Sequence, residues 1–200
     1  MTIRDRVCAF AVARVLRSLI EPCLQPCSYA YRPGRSATDA ANYVEKLIRR
    51  GLPWILETDI TSYFDTINHR LLLTELTRYV DDDAVIDLIE RFMTAPVTGA
   101  ERRPETTVGI TQGSPLSPLL SNLYLNELDR TMLKSGFKYI RYADDLVVLG
   151  YHRDDMLRAL ELLETETAGL ELTLSEPKTR IGKVSDGFVF LGFHFNESGK

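Results

Sequence analysis

Cysteine is scarce in this 200-residue chain, which has three, at positions 8, 23 and 27. So sparse and odd a set excludes the dense, even-numbered disulfide framework of a small secreted scaffold, and buried thiols are the expectation. Cys23 and Cys27 are close enough in sequence to begin a zinc site, but no second Cys or His pair follows, because His69, His152 and His194 are scattered. No zinc centre is therefore expected. Long hydrophobic runs are missing as well: the longest, around residues 146–149, fall far short of the roughly 20 residues that cross a bilayer. The N-terminus alternates charged and apolar residues and lacks a signal-peptide pattern, so the expectation is a cytoplasmic protein with no membrane partner. Repeats and low-complexity stretches are absent.

An excess of positive charge is lacking too. The 24 Lys and Arg stand against 28 Asp and Glu, a net charge of -4, which taken alone argues against a nucleic-acid binder. The distribution softens that argument: residues 1–58 carry nine basic against five acidic side chains, and residues 59–200 fifteen against twenty-three. With 44% hydrophobic residues, the chain can build one good-sized core or two fused lobes.

The pattern along the chain mixes helices and strands. Val7, Phe10, Ala11, Val15 and Leu19 recur at helical spacing with arginines on the other face, until Glu21-Pro22 ends the run. Residues 25–36 are punctuated by Pro26, Pro33 and Gly34. Ser36 or Thr38 is placed to cap a helix over residues 39–50, which Gly51 closes. Residues 54–60 alternate as a strand, with Trp54, Leu56, Thr58 and Ile60 on one face and Ile55, Glu57 and Asp59 on the other. Leucine-rich helices follow, the second over about residues 82–93, whose acidic run Asp81-Asp82-Asp83 suits a helix N-terminus better than a metal. Residues 98–108 predict a polar loop or hairpin, residues 119–133 a helix, residues 139–151 two strands joined at Ala143-Asp144, and residues 154–168 a helix ending at Gly169. Without regular βα alternation, the fold class is α+β.

The most informative stretch is Tyr142-Ala143-Asp144-Asp145, two adjacent carboxylates between apolar strands. Burying like charges side by side is costly unless a cation offsets them. Asp is also common in hairpin turns, so an isolated pair would carry little weight. Asp59, ending another strand-like run, is available as a third carboxylate, and hard oxygen ligands in this number suit Mg²⁺.

Several motifs, in order, resemble those of reverse transcriptases, particularly the group II intron type and its bacterial relatives, including those associated with CRISPR adaptation and antiviral defence. Ser28-Tyr29-Ala30-Tyr31-Arg32-Pro33-Gly34-Arg35-Ser36 is similar to the fingers-to-palm segment, and Asp59-Ile60-Thr61-Ser62-Tyr63-Phe64-Asp65 to the first catalytic motif. Gly109-Ile110-Thr111-Gln112-Gly113-Ser114-Pro115-Leu116-Ser117-Pro118 with Leu119-Leu120-Ser121-Asn122 resembles the template and nucleotide motif. Tyr142-Ala143-Asp144-Asp145 resembles the signature catalytic turn, residues 175–179 the lysine-bearing motif, and Phe190-Leu191-Gly192-Phe193 the primer grip. The match covers nearly the whole chain.

The resemblance implies a right-hand polymerase palm, an antiparallel sheet packed on helices, with partial fingers over residues 1–58 and the palm over residues 59–200. The thumb, and fingers strands ahead of Met1, are missing from the pattern. It implies RNA-templated DNA synthesis with two Mg²⁺ ions, Mn²⁺ being a possible substitute, held by Asp59, Asp144 and Asp145 together with the Ile60 carbonyl. Partners would be an RNA template, a DNA or RNA primer and deoxynucleoside triphosphates, with further fused domains or a larger complex possible. Phe64 aligns with the steric gate that excludes a ribose 2′-hydroxyl, although periodicity alone fits a core aromatic beside Tyr63 and Ile67 equally well. Gln112 and Gly113 would lie against the nucleotide, and Lys178 near the leaving pyrophosphate. Arg32 and Arg35 would contact template or nucleotide phosphates, while Leu191 and Gly192 would place the primer end. The alternatives are a maturase-like RNA-binding module and an inactive polymerase fragment.

Overall fold

The structure, a computed structural model, describes residues 2–94, 107–111 and 113–200. Most of the loop expected at residues 98–108, and Gln112, lie outside these. In chain order the elements are α1 (Ile3–Ile20), α2 (Ala37–Arg49), β1 (Trp54–Asp59), α3 (Tyr63–Thr66), α4 (His69–Leu76), α5 (Asp83–Thr94), α6 (Ser117–Tyr124), α7 (Asn126–Lys134), β2 (Lys138–Tyr142), β3 (Asp145–Gly150), α8 (Arg153–Gly169), β4 (Arg180–Lys183), β5 (Phe188–Phe190) and β6 (Phe193–Phe195). Among the described residues no helix is long and apolar enough to cross a membrane.

These elements form two compact units that are not consecutive in sequence: Met1–Leu24 with Ser62–Asn126, and Gln25–Thr61 with Glu127–Lys200. The boundary expected between residues 58 and 59 falls inside β1, which belongs wholly to the second unit.

The first unit is helical. Thr2 caps α1 through a reciprocal bond pair with Asp5, satisfying backbone donors that a helix start otherwise leaves open. The helix forms as expected, but with the opposite face inward. Ala9, Ala13, Leu16 and Ile20 are buried, whereas Val7, Phe10, Val15 and Leu19 are exposed. Apolar residues occur almost all around this helix, so its pattern underdetermines the buried side; the helix packs on α6. Cys8 and Cys23 are also exposed, against the expectation of buried thiols, and of the three only Cys27 is buried. The acidic run behaves as a cap, with Asp82 Oδ1 accepting from the Ala84 and Val85 amides.

The second unit holds a four-stranded antiparallel sheet in the order β2-β3-β1-β4, with β5 and β6 forming a separate hairpin. Helix α2 is capped by Ser36, one of the two residues the sequence offers, in a reciprocal bond pair with Asp39, and packs Ala40, Ala41, Val44 and Leu47 with Ile55, Ile140, Val147 and Leu149 and with Phe188, Phe190 and Phe195 of the hairpin. Helix α8 also packs on β1, β3 and β4. Sandwiched this way, β1 buries Ile55, Leu56, Thr58 and Asp59, so its alternating pattern does not separate a wet from a dry face. Each fully buried aliphatic side chain here contributes about 1.5–3 kcal/mol. Mixed helices and antiparallel sheet make the fold α+β, as expected from the sequence.

Candidate active site

The β1–β3 ladder sets the site. Its register places Ile55 opposite Leu149, Glu57 opposite Val147 and Asp59 opposite Asp145. Side chains directly opposite across antiparallel strands share a face and come within about 5.5 Å at Cβ, so two carboxylates there repel. Asp59 is 5% exposed. Its Oδ2 accepts a hydrogen bond from the Lys178 ammonium, and its Oδ1 is buried with no hydrogen-bond partner. Burial, then Asp144, then Asp59 push the Asp145 carboxyl above its ordinary range, with Lys178 acting in the other direction. Contact with Asp59 raises the Lys178 pKa.

Asp144 lies in the turn that joins β2 to β3. Tyr142 and Asp145 form the last pair of that ladder, leaving Ala143 and Asp144 as a two-residue connection. Ala143 has φ +56°, and Asp144 is not among the residues with positive φ, the sign pattern of a type II′ turn in which glycine is usual. The Asp144 carbonyl accepts from the Ile60 amide at 3.3 Å. The turn is thus tied to the end of β1, and this brings both aspartates of the pair to the Asp59 end of the sheet despite their opposite alternation.

Lys178 reaches this end from a short 3₁₀ turn, Glu176–Lys178, with Pro177 in its middle. Two contacts fasten that segment to β1: the Ser175 amide donates to the Asp59 carbonyl at 2.8 Å, and the Thr58 and Thr179 hydroxyls lie 2.7 Å apart. Among the described residues no three His, Cys, Asp or Glu side chains form a ready-made metal cluster. The ammonium of Lys178 is the cation that meets Asp59. A buried carboxylate oxygen without a partner, with further carboxylates beside it, nevertheless fits a hard divalent ion that keeps some ligands for water and phosphate.

The other expected residues fall as follows. Leu191 (φ +52°) and Gly192 (φ +80°) form the two-residue turn between β5 and β6, both left-handed as a type I′ hairpin requires. Arg32 is 8% exposed and donates to the carbonyls of Gln25 and Ser28, at 2.6 and 3.0 Å. Arg35 donates to the carbonyls of Pro26 and Ser28, at 2.6 and 2.9 Å, and lies over the Tyr29 ring. Both guanidinium groups bind their own segment's backbone. In the first unit, Phe64 sits in α3, half-buried and edge-on to Tyr63, with ring centroids 5.5 Å apart. Gly113 is exposed with φ +87° and open space where a Cβ would stand.

Two arrangements were not anticipated. His69 Nε2 lies 2.6 Å from the Gly109 carbonyl, anchoring the first residue of the 109–118 motif. Arg141, on β2, is fully buried in an ion pair with Asp129 of α7. A charged residue inside an apolar strand pattern was the available signal for the second; its partner is twelve residues earlier, beyond any local spacing rule.

Comparison with known proteins bears on the family and the fold. The family model described as reverse transcriptase (RNA-dependent DNA polymerase) matches residues 1–195. The chain belongs to the reverse transcriptase family. Among relatives of this reverse transcriptase, Protein YkfC of Escherichia coli (strain K12) is 29% identical over 230 residues, an alignment covering 95% of this chain and 60% of that protein. The group II intron-encoded protein LtrA of Lactococcus lactis subsp. cremoris is 32% identical over 150 residues, covering 75% of this chain and 25% of LtrA. The chain thus spans less than two thirds of these relatives' lengths. Apo telomerase from Candida tropicalis, truncated from its C-terminal domain, shares the fold with a TM-score of 0.68 at 14% identity, over 98% of this chain and 44% of that one.

Proposed function

We propose that this reverse transcriptase chain carries the fingers-and-palm part of an RNA-directed DNA polymerase, adding deoxynucleotides to a primer 3′ end on an RNA template. The observation that carries the reading is the pairing of Asp59 with Asp145 across two central strands, beside the Asp144 turn, with one Asp59 oxygen buried and unpartnered. An RNA-binding module gains nothing from carboxylates that repel one another, whereas phosphoryl transfer uses them.

In the reaction the primer 3′-hydroxyl oxygen forms a bond to the α-phosphorus of the incoming triphosphate. The bond from that phosphorus to the bridging oxygen breaks, pyrophosphate leaves, and the hydroxyl proton passes to solvent. When bound, two Mg²⁺ ions, or Mn²⁺ in their place, supply activation of the hydroxyl and stabilisation of the leaving charge; Asp59, Asp144, Asp145 and the Ile60 carbonyl are the groups that would hold them. Lys178, already at Asp59, offers its positive charge and a proton to the departing pyrophosphate. Phe64 excludes the ribose 2′-hydroxyl, and Gly113, with no side chain, leaves its backbone open to the nucleotide.

Primer extension on an RNA template with Mg²⁺ and deoxynucleotides tests this reading. Extension by the parent and none by Asp144→Asn is expected, because the substitution removes a ligand charge while keeping the shape. Equal extension by the two proteins contradicts the assignment, and none by either favours an inert palm.

A further inference from the structure

The catalytic-type turn is held from behind by a buried guanidinium. Arg141 and Asp129 side chains are both 0% exposed. Nε of Arg141 donates to Asp129 Oδ1 at 2.8 Å and Nη2 to Oδ2 at 2.6 Å, the planar two-point geometry that only arginine provides. The third nitrogen, Nη1, points the other way and donates to the carbonyl of Ala143 at 3.1 Å. Ala143 is the left-handed residue that opens the turn to Asp144. A non-glycine residue keeps that conformation only where its surroundings over-determine it.

The backbone of Arg141 is fixed as well. Its amide donates to the Cys27 carbonyl at 2.9 Å, and its carbonyl accepts from the Tyr29 amide at 3.0 Å. Residues 27–29 thereby cover the edge strand β2, and the Ser28 carbonyl between these contacts is the one to which both Arg32 and Arg35 donate. A continuous set of bonds therefore runs from the arginines of the 28–36 motif through Arg141 to the peptide preceding Asp144.

A buried ion pair is seldom kept for stability, since well-packed apolar replacements of both partners are often neutral or stabilising. We propose that Arg141, oriented by Asp129, is a positioning residue: it sets the Ala143–Asp144 peptide and so the direction in which the Asp144 carboxylate meets the metal. The inference rests on the reading of Asp59, Asp144 and Asp145 as metal-holding, and its specific content is that geometry, beyond charge and stability, is what the pair supplies.

The test compares the parent with Arg141→Lys, with the double variant Arg141→Met and Asp129→Leu, and with Asp144→Asn. The measurements are thermal unfolding, amide hydrogen exchange over residues 142–146, and Mn²⁺ binding followed by electron paramagnetic resonance. The double variant is expected to unfold at or above the parent's temperature, to exchange faster at the turn, and to bind Mn²⁺ about tenfold or more weakly, the usual loss when a group that orients a metal ligand is removed. Arg141→Lys, which keeps the charge and loses the fork, should show the same two defects and decides the matter if the double variant does not fold. Parent-like exchange and parent-like Mn²⁺ affinity in Arg141→Lys would overturn the proposal. Asp144→Asn should lose Mn²⁺ binding without loosening the turn. Undiminished Mn²⁺ binding by that control contradicts the metal reading itself, and exchange at the turn then still judges the role of Arg141.

Discussion

Asp59 and Asp145 stand directly opposite each other in the β1–β3 ladder, two carboxylates at a position where like charges are destabilising. The conflict is local and has a measurable signature. Asp145→Asn removes one of the charges and should stabilise the metal-free protein by about 0.2–1 kcal/mol. Mg²⁺ should raise the parent's unfolding temperature and have little effect on the variant, since an ion that binds only the folded state stabilises it by mass action. Urea titration of the metal-free proteins checks the first statement, and thermal unfolding with and without Mg²⁺ the second.

The same pair predicts a pH dependence. The folded-state pKa of Asp145 lies above its ordinary value of 3.8, because of burial and then Asp144 and Asp59. The folded state therefore holds this proton more firmly than the unfolded chain, and stability from this group falls as pH rises from the ordinary value through the raised one. Metal-free unfolding measured across that acidic window should show the decline in the parent and lack it in Asp145→Asn.

Gly109 has φ +88°, and a Cβ there would lie 3.0 Å from the backbone oxygen of Asp65. Backbone cannot swing aside as a side chain can. Gly109→Ala should cost about 1–3 kcal/mol, the range for a non-glycine residue forced into a left-handed conformation. Denaturant midpoints for parent and variant measure it; a change within error would mean that the His69–Gly109 anchor is not under this constraint.

The three thiols should separate by reactivity. Cys8 and Cys23 are exposed, whereas Cys27 is buried and its thiol is pushed well above the ordinary range, first by burial and then by Asp129. The thiolate is the reacting form. Alkylation of the native protein at neutral pH, followed by mass spectrometry, should modify positions 8 and 23 and spare 27 until the protein unfolds.

Much of this architecture was legible where a local rule applied. The Ser36 cap of α2 and the paired strands around Ala143-Asp144 lie where cap chemistry and alternation put them. Local rules failed where a choice was settled by packing between elements or by irregular loop contacts. Helix α1 offered apolar residues on nearly every side, and packing against another helix chose the buried one. Arg32 and Arg35 are basic loop residues by composition, yet both guanidinium groups bind carbonyls of residues 25–28. The carboxylate pair was visible as chemistry; the Arg141–Asp129 clamp behind it depends on tertiary contact between a strand and a helix.

Template-directed addition is the central claim, and single-nucleotide incorporation tests it most directly. A primer annealed to RNA of defined sequence is offered each deoxynucleotide separately with Mg²⁺, using the parent chain and Asp144→Asn. The parent should add only the deoxynucleotide complementary to the template base, and Asp144→Asn should add none. Addition indifferent to the template, or retained by Asp144→Asn, would contradict it.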